Sequence, residues 1–321
     1  MHKFIYGLKQ SPRAWYAKLS FILEKFDFRR SNADSSLFVR VGSVGKLIVL
    51  IYVDDLIVTG NNVEEVHSLK LALQSKFAIK DLGTLKYFFG NELATSQQGL
   101  FLNQRKYIPD LLKESGLMDC KPVCTPLDNK LQLTTHSEAL SNVTKYRRLV
   151  RKLIYLTITC FDISYAVSIV SQFMHAPTLV HMQIMNRILR YLKGSVGRGL
   201  LMTKNDSTTA MGYTDAGWAE NSLDRKLTTG FCTFVGGNLV TRRSKKQSVV
   251  TRSSAEAKYQ AMASPVCELI WLKSLLFDIG FPSNEPMSMF CDNQAAMHIA
   301  SNHVFHERTK HIEVDCHYVR A

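Results

Sequence analysis

One stretch constrains this chain more than any other: Lys46 to Gly60, KLIVLIYVDDLIVTG. Leu47 to Val53 is aliphatic and β-branched, the composition of a buried strand. Leu56 to Val58 reads as a second strand, and few residues remain between the two for a turn. The expectation is a tight hairpin with Asp54 and Asp55 at its tip. A carboxylate pair on an apolar hairpin costs stability unless a cation sits beside it. Hard oxygen ligands favour Mg2+ in that role. The plain alternative is an Asp-rich turn with no chemistry.

At 321 residues the chain is too long for one ordinary core, and two or three domains are expected. Its net charge of +13 implies a polyanionic partner, nucleic acid before a membrane surface, because no basic amphipathic helix stands out. Seven scattered cysteines form neither a disulfide framework nor a zinc signature, which points to a reducing, intracellular compartment, cytoplasm or nucleus. The N-terminal MHKFIYGLKQ lacks the apolar core of a secretion signal, and no run is long enough for a membrane span.

Along the chain, helical patterns are expected at Trp15 to Phe26, Val63 to Phe77 (capped by Asn61 or Asn62) and Lys106 to Ser115 (ended by Gly116). Leu37 to Val41 and Leu85 to Leu93 read as strands. Lys121 to Pro126 is a linker by its prolines. Three helices follow, Tyr146 to Thr159, Ile163 to Met174 and His181 to Lys193. In the last, Ile184, Ile188, Leu189 and Leu192 make an apolar face, with Arg187, Arg190 and Lys193 on the other side as candidate phosphate contacts.

The C-terminal third carries a second acidic set. A strand from Thr209 to Tyr213 is expected to end at Asp215, and strands follow at Thr228 to Gly236 and Asn238 to Val250. Ser253 and Ser254 then offer caps for a helix carrying Glu256. Met287 to Phe290 is another strand with Asp292 just beyond it, followed by a helix from Gln294 to Ala300. A last helix, His306 to Arg320, contains Glu313 and Asp315. Asp215 and Asp292 on adjacent strands, with Glu256 on a facing helix, would converge on a site able to hold two Mg2+ or Mn2+ ions for phosphodiester hydrolysis. Arg242, Arg243, Lys245 and Lys246 form a basic patch beside it, read as phosphate contacts. The spacing of His298, His303, His306, His311 and His317 fits no standard zinc finger. Trp218 and Trp271 read as core residues rather than base-stacking platforms.

The segments YGLKQSPRAWY, SLFV, IYVDDLIVTG and IKDLGTLKYFFG resemble the reverse transcriptase of Ty1/copia-type retrotransposons. YTDAGWA, TRSSAEAKYQAMA, CDNQAAMHIA and FHERTKHIEVDCHYVR resemble the RNase H domain of the same elements. The resemblance implies an α+β chain in three parts. These are a truncated reverse-transcriptase palm with the YVDD hairpin (1–100), a helical thumb and connection (101–205), and an RNase H-like α/β domain with a mixed sheet (206–321). It implies that Asp54 and Asp55 hold Mg2+ in the palm. It also implies that Asp215, Glu256, Asp292 and Glu313, with Asp315 as runner-up for the fourth acid, cleave RNA in RNA–DNA hybrids. The remainder of the retroelement polyprotein is an implied partner.

The palm's third carboxylate lies, in the family, upstream of YGLKQ, so polymerase activity is expected to be absent from this chain. Other departures are Arg151 for a family Gly, Cys160-Phe161 for Arg-Pro, Gly217 for Asp, Arg242 for Trp, His303 for Pro and Lys258 for the second Glu of AEAEY. Lys258 is expected to compete with a metal for Glu256, and Pro265 to kink its helix. The alternative reading is a catalytically dead, basic nucleic-acid-binding relic.

Overall fold

The computed structural model describes residues 10–42, 45–128, 137–217, 227–247, 251 and 253–301. They form a mixed α+β structure with three four-stranded sheets. The chain divides into two compact units. The first comprises residues 1–85, 208–210 and 266–288, and the second comprises 86–207, 211–265 and 289–321.

In the first unit, α1 (Ser11–Lys25) starts with a proline in its opening turn, where the missing N–H costs nothing. It buries Leu19 and Leu23, one helical turn apart. Strands β1 (Arg29–Arg30), β2 (Leu37–Val41), β3 (Lys46–Tyr52) and β4 (Asp55–Gly60) form an antiparallel sheet in that order. β3 alternates, with Leu47, Val49 and Ile51 buried and the residues between them partly exposed. The strand is therefore covered on one face rather than two. Helix α2 (Val63–Lys76) covers that core with Leu69 and Leu73, and Phe28, Phe38 and Phe77 complete it. Each such side chain contributes roughly 1.5–3 kcal/mol on burial. Asn62 caps α2, its side chain accepting from the amides of Glu64 and Glu65 at 3.0 and 3.2 Å. Gly60 has no substitute here, since a Cβ would meet the Lys46 carbonyl at 2.6 Å.

The second unit opens with β5 (Tyr87–Phe88), β6 (Asn91–Thr95) and β7 (Gly99–Asn103), two hairpins where a single strand was expected. Gly90, at φ 72°, reverses the chain between β5 and β6. Helices α3 (Tyr107–Ser115), α4 (Val143–Leu156), α5 (Ser164–Gln172) and α6 (Leu179–Lys193) then pack on one another. Tyr146, Leu149, Val150 and Leu153 of α4 meet Ile184, Ile188, Leu189 and Leu192 of α6 in one core. The Tyr146 hydroxyl donates to the Val170 carbonyl at 2.7 Å, so its buried polar tip is satisfied. The segment around Cys160-Phe161 makes one 3-10 turn, Phe161–Ile163, that runs straight into α5. β8 (Gly199–Thr203), not foreseen, pairs with β7 and closes the sheet β5-β6-β7-β8 across the helical segment.

The third sheet is built from β9 (Ala210–Gly217), β10 (Thr228–Val235), β11 (Asn238–Lys246) and β12 (Ser288–Phe290), in the order β11-β10-β9-β12. Helix α7 (Ser254–Asp278) separates β11 from β12 in sequence, and α8 (Gln294–Ser301) follows. β9 extends through Asp215, which lies inside the strand rather than at its end. α7 continues through Pro265 as one element. A proline cannot donate to the carbonyl four residues back, here Ala261. The Thr214 hydroxyl of β9 donates to that carbonyl instead, at 3.1 Å. In the first unit, Asp278 at the end of α7 accepts from the Ser31 hydroxyl at 2.6 Å and from the amides of Asn32 and Ala33 at 2.8 and 3.2 Å. Trp271, expected in a core, is partly exposed and donates to the Ala33 carbonyl at 3.0 Å.

Candidate functional site

Two carboxylate constellations emerge, and they differ in one respect. At the β3–β4 hairpin, Tyr52 pairs with Asp55 across a two-residue turn of Val53 and Asp54. Such turns require positive φ at a central residue, and Val53 supplies it at 53°. For a β-branched residue this is a genuine outlier. The turn is held from outside by Trp15, whose indole N–H donates to the Val53 carbonyl at 3.0 Å. Trp15 is in turn fixed edge-on against Phe77, with ring centroids 4.8 Å apart. The sequence marked Trp15 only as an apolar helix position; its clamp on the turn had no local signature. Asp54 and Asp55 are exposed. Their oxygens suit a hard divalent ion, and the pair could supply two ligands. Among the described residues no group of three or more His, Cys, Asp or Glu side chains is placed to hold a metal.

The second constellation contains Asp215 on β9, Asp292 just beyond β12 and Lys258 on α7, while Glu256, expected to converge with the aspartates, makes no group of three acids with them among the described residues. Because β9 and β12 are neighbours, the two aspartates approach one another. Between them lies the Lys258 ammonium, 3.0 Å from Asp215 Oδ1 and 2.5 Å from Asp292 Oδ1. The lysine side chain is only 16% exposed, against 70% and 67% for its partners. The Asp292 hydrogen bond, followed by that of Asp215, outweighs desolvation and raises the Lys258 pKa. The Lys258 hydrogen bond lowers that of Asp292 below the usual carboxylate range. Glu256 is 8% exposed, and its amide is capped by the Ser253 hydroxyl at 3.2 Å.

The expected competition between Lys258 and a metal for Glu256 is thus corrected. Residues two apart on a helix point to different sides. Lys258 instead takes the aspartates. Divalent chemistry does not fit this gap as it stands, because a cation already bridges the oxygens the metal would need. Glu313 and Asp315 lie outside the described residues, as do Trp218, His303, His306, His311 and His317.

The candidate phosphate contacts divide. On α6, Arg187 donates to the Thr125 hydroxyl at 3.0 Å and pairs with Asp128 at 3.4 Å. Arg190 donates to the Lys121 carbonyl at 2.9 Å, and Lys193 donates to the Met118 and Cys120 carbonyls at 2.5 and 2.7 Å. These three cations hold the proline linker along the helix, a structural task beside the phosphate contacts expected of them. Arg242, Arg243, Lys245 and Lys246 lie on β11, the edge strand. Side chains alternate along a strand, so they do not form one patch. Arg243 and Lys245 stand opposite the buried Phe231 and Thr229, and Arg242 opposite Cys232. Lys246 donates to Gln172 at 3.0 Å.

Comparison with known proteins identifies the family. The family model for reverse transcriptase (RNA-dependent DNA polymerase) matches residues 1–129. The Retrovirus-related Pol polyprotein from transposon RE1 of Arabidopsis thaliana is 41% identical over 321 residues, which is 100% of this chain. The Retrovirus-related Pol polyprotein from transposon TNT 1-94 of Nicotiana tabacum is 34% identical over 331 residues, again across 100% of this chain.

The chain belongs to the copia-type retrotransposon Pol family.

It spans 22% of the RE1 polyprotein's length and 25% of the TNT 1-94 polyprotein's. An uncharacterized mitochondrial protein of Arabidopsis thaliana is 42% identical over 225 residues, 70% of this chain and 94% of its own length. As a copia-type Pol chain it falls within the RNA-directed DNA polymerase family, whose members act on nucleic acid and generally use Mg2+. Among the described residues no helix is long and apolar enough to cross a membrane.

Proposed function

We propose that this copia-type chain works on RNA–DNA hybrid as adjoining parts of a reverse transcriptase. Residues 1–100 form part of a palm whose hairpin offers Asp54 and Asp55 to Mg2+. Residues 101–205 form the thumb and connection. Residues 206–321 form an RNase H-like domain carrying Asp215, Glu256 and Asp292, with Glu313 or Asp315 as the fourth acid. The observation that carries this reading is the strand order β11-β10-β9-β12, which brings acids 77 positions apart in sequence to a single ammonium. Nucleotide transfer needs a fuller carboxylate clamp to hold two ions about 4 Å apart. A second reading, hybrid binding without cleavage, is favoured by the position of Lys258.

The test is fluorescence anisotropy with a labelled RNA–DNA hybrid over a salt series. Binding that weakens at least tenfold between about 50 and 200 mM salt is expected, since phosphate contacts release counterions. An absence of hybrid binding by folded protein would remove this reading.

A further inference from the structure

We infer that Lys258 is a built-in replacement for a divalent cation, and that it closes the Asp215–Asp292 site to metal in this chain. Three observations converge. The ammonium contacts one oxygen of each aspartate, at 3.0 and 2.5 Å, so it sits at the point a bridging ion would occupy. A Mg2+ ion bound to the same oxygens at about 2.0–2.1 Å would overlap that nitrogen, and the two cannot share the gap. The lysine is also not a casual surface cation. Its side chain is 16% exposed while the aspartates are largely open, so the stem is packed and only the ammonium tip meets the acids.

Charge completes the argument. Two aspartates and a lysine leave one net negative charge at the gap. A glutamate at the same position would leave three and a neutral side chain two, and either excess calls for a divalent ion. The flanking Ala257 and Tyr259 are fully buried, which locks the helix register and keeps residue 258 aimed at the aspartates whichever side chain it carries. The replacement thus converts a cation-demanding site into a satisfied internal salt bridge. Metal-dependent hydrolysis at this site is silent, and the lysine ties α7 to the strands that carry the two acids.

This inference rests on the RNase H-like reading for its meaning but not for its test. Bound Mn2+ would be counted in the full chain by electron paramagnetic resonance of the free ion. Ion held at Asp54 and Asp55 contributes equally to every protein compared. Lys258→Glu is expected to bind one more Mn2+ than the parent chain, and adding Asp292→Asn should remove that gain. In the parent chain Asp292→Asn is expected to change the count not at all. If Lys258→Glu fails to fold, Lys258→Gln removes the charge on a shorter side chain, leaves two negative charges at the gap and is expected to show the same gain.

Two results would overturn the assignment. One is a loss of Mn2+ from the parent chain on Asp292→Asn, which would mean that metal displaces the lysine. The other is no gain in a folded position-258 variant. Hybrid anisotropy on the same proteins separates the two proposals. An Mn2+ gain without hybrid binding removes the hybrid-binding reading and supports the lysine assignment. Hybrid binding with no gain does the reverse.

Discussion

Val53 holds a β-branched side chain at φ 53°, one residue from Asp54 in the turn that presents the carboxylate pair. Backbone in that region costs a non-glycine residue on the order of 1–3 kcal/mol, and such strain concentrates at functional sites. Glycine relieves it but adds roughly 0.5–1 kcal/mol of freedom to the unfolded chain. Val53→Gly is therefore expected to stabilise the protein by about 1 kcal/mol, raising the urea midpoint with no change in slope. Trp15→Phe keeps the ring against Phe77 but removes the donor to the Val53 carbonyl. It should cost about 0.5–1.5 kcal/mol by the same measurement. A destabilised Val53→Gly would show that the turn is relaxed rather than strained.

Between elements, the same reasoning applies to orphaned groups. Pro265 leaves the Ala261 carbonyl without its helical donor, and the buried Thr214 hydroxyl of β9 supplies one at 3.1 Å. Thr214→Val keeps the shape and removes the donor, so it should cost about 1–3 kcal/mol. In a Pro265→Ala background, residue 265 regains its amide and donates to Ala261, and Thr214→Val should cost much less. Equal costs in the two backgrounds would sink the compensation argument. A second junction is charged: Glu114 of α3 pairs with Lys152 and Arg148 of α4, the latter at 2.7 Å. The Lys152 hydrogen bond leads the causes that hold the Glu114 pKa below its ordinary 4.5. A depressed carboxylate stabilises above its unfolded pKa, and the gain is lost as pH falls through the folded one. Wild type should thus lose more stability than Glu114→Gln between about pH 5 and pH 3, measured by urea midpoints.

Much of this architecture was legible, because its cues are local. The hairpin, the Asn62 cap and the α6 face follow from strand composition, capping chemistry and helical spacing, and each recurs in the structure. What escaped was set by partners distant in sequence. β8 is a five-residue strand that exists because β7 offers an edge. Lys258 looked like a rival for Glu256 because the two are close in sequence, yet helix geometry turns it toward aspartates 43 positions before it and 34 after it. The linker contacts of α6 were hidden for the same reason, since a carbonyl acceptor has no sequence signature.

At the scale of the whole molecule, a net charge of +13 says that cations are plentiful, not which of them meet phosphate. The structure divides them by task. Arg187, Arg190 and Lys193 already hold the 118–128 linker, so replacing all three with Gln should lower stability by about 1–3 kcal/mol and leave the salt dependence of hybrid binding unchanged. Arg242, Arg243 and Lys245 are exposed on an edge strand, where charge also discourages pairing with other chains. Alternation puts Arg243 and Lys245 on one face and Arg242 on the other, so one hybrid cannot engage all three at once. Each phosphate contact contributes a slope of about 0.9 in log K against log salt. The triple Gln variant on β11 should therefore reduce the slope by about 1–2 and not by three, with the urea midpoint unchanged. A slope that falls in the α6 variant and holds in the β11 variant would reverse the assignment. The linker contacts would then be incidental, and α6 rather than the edge strand would face the nucleic acid.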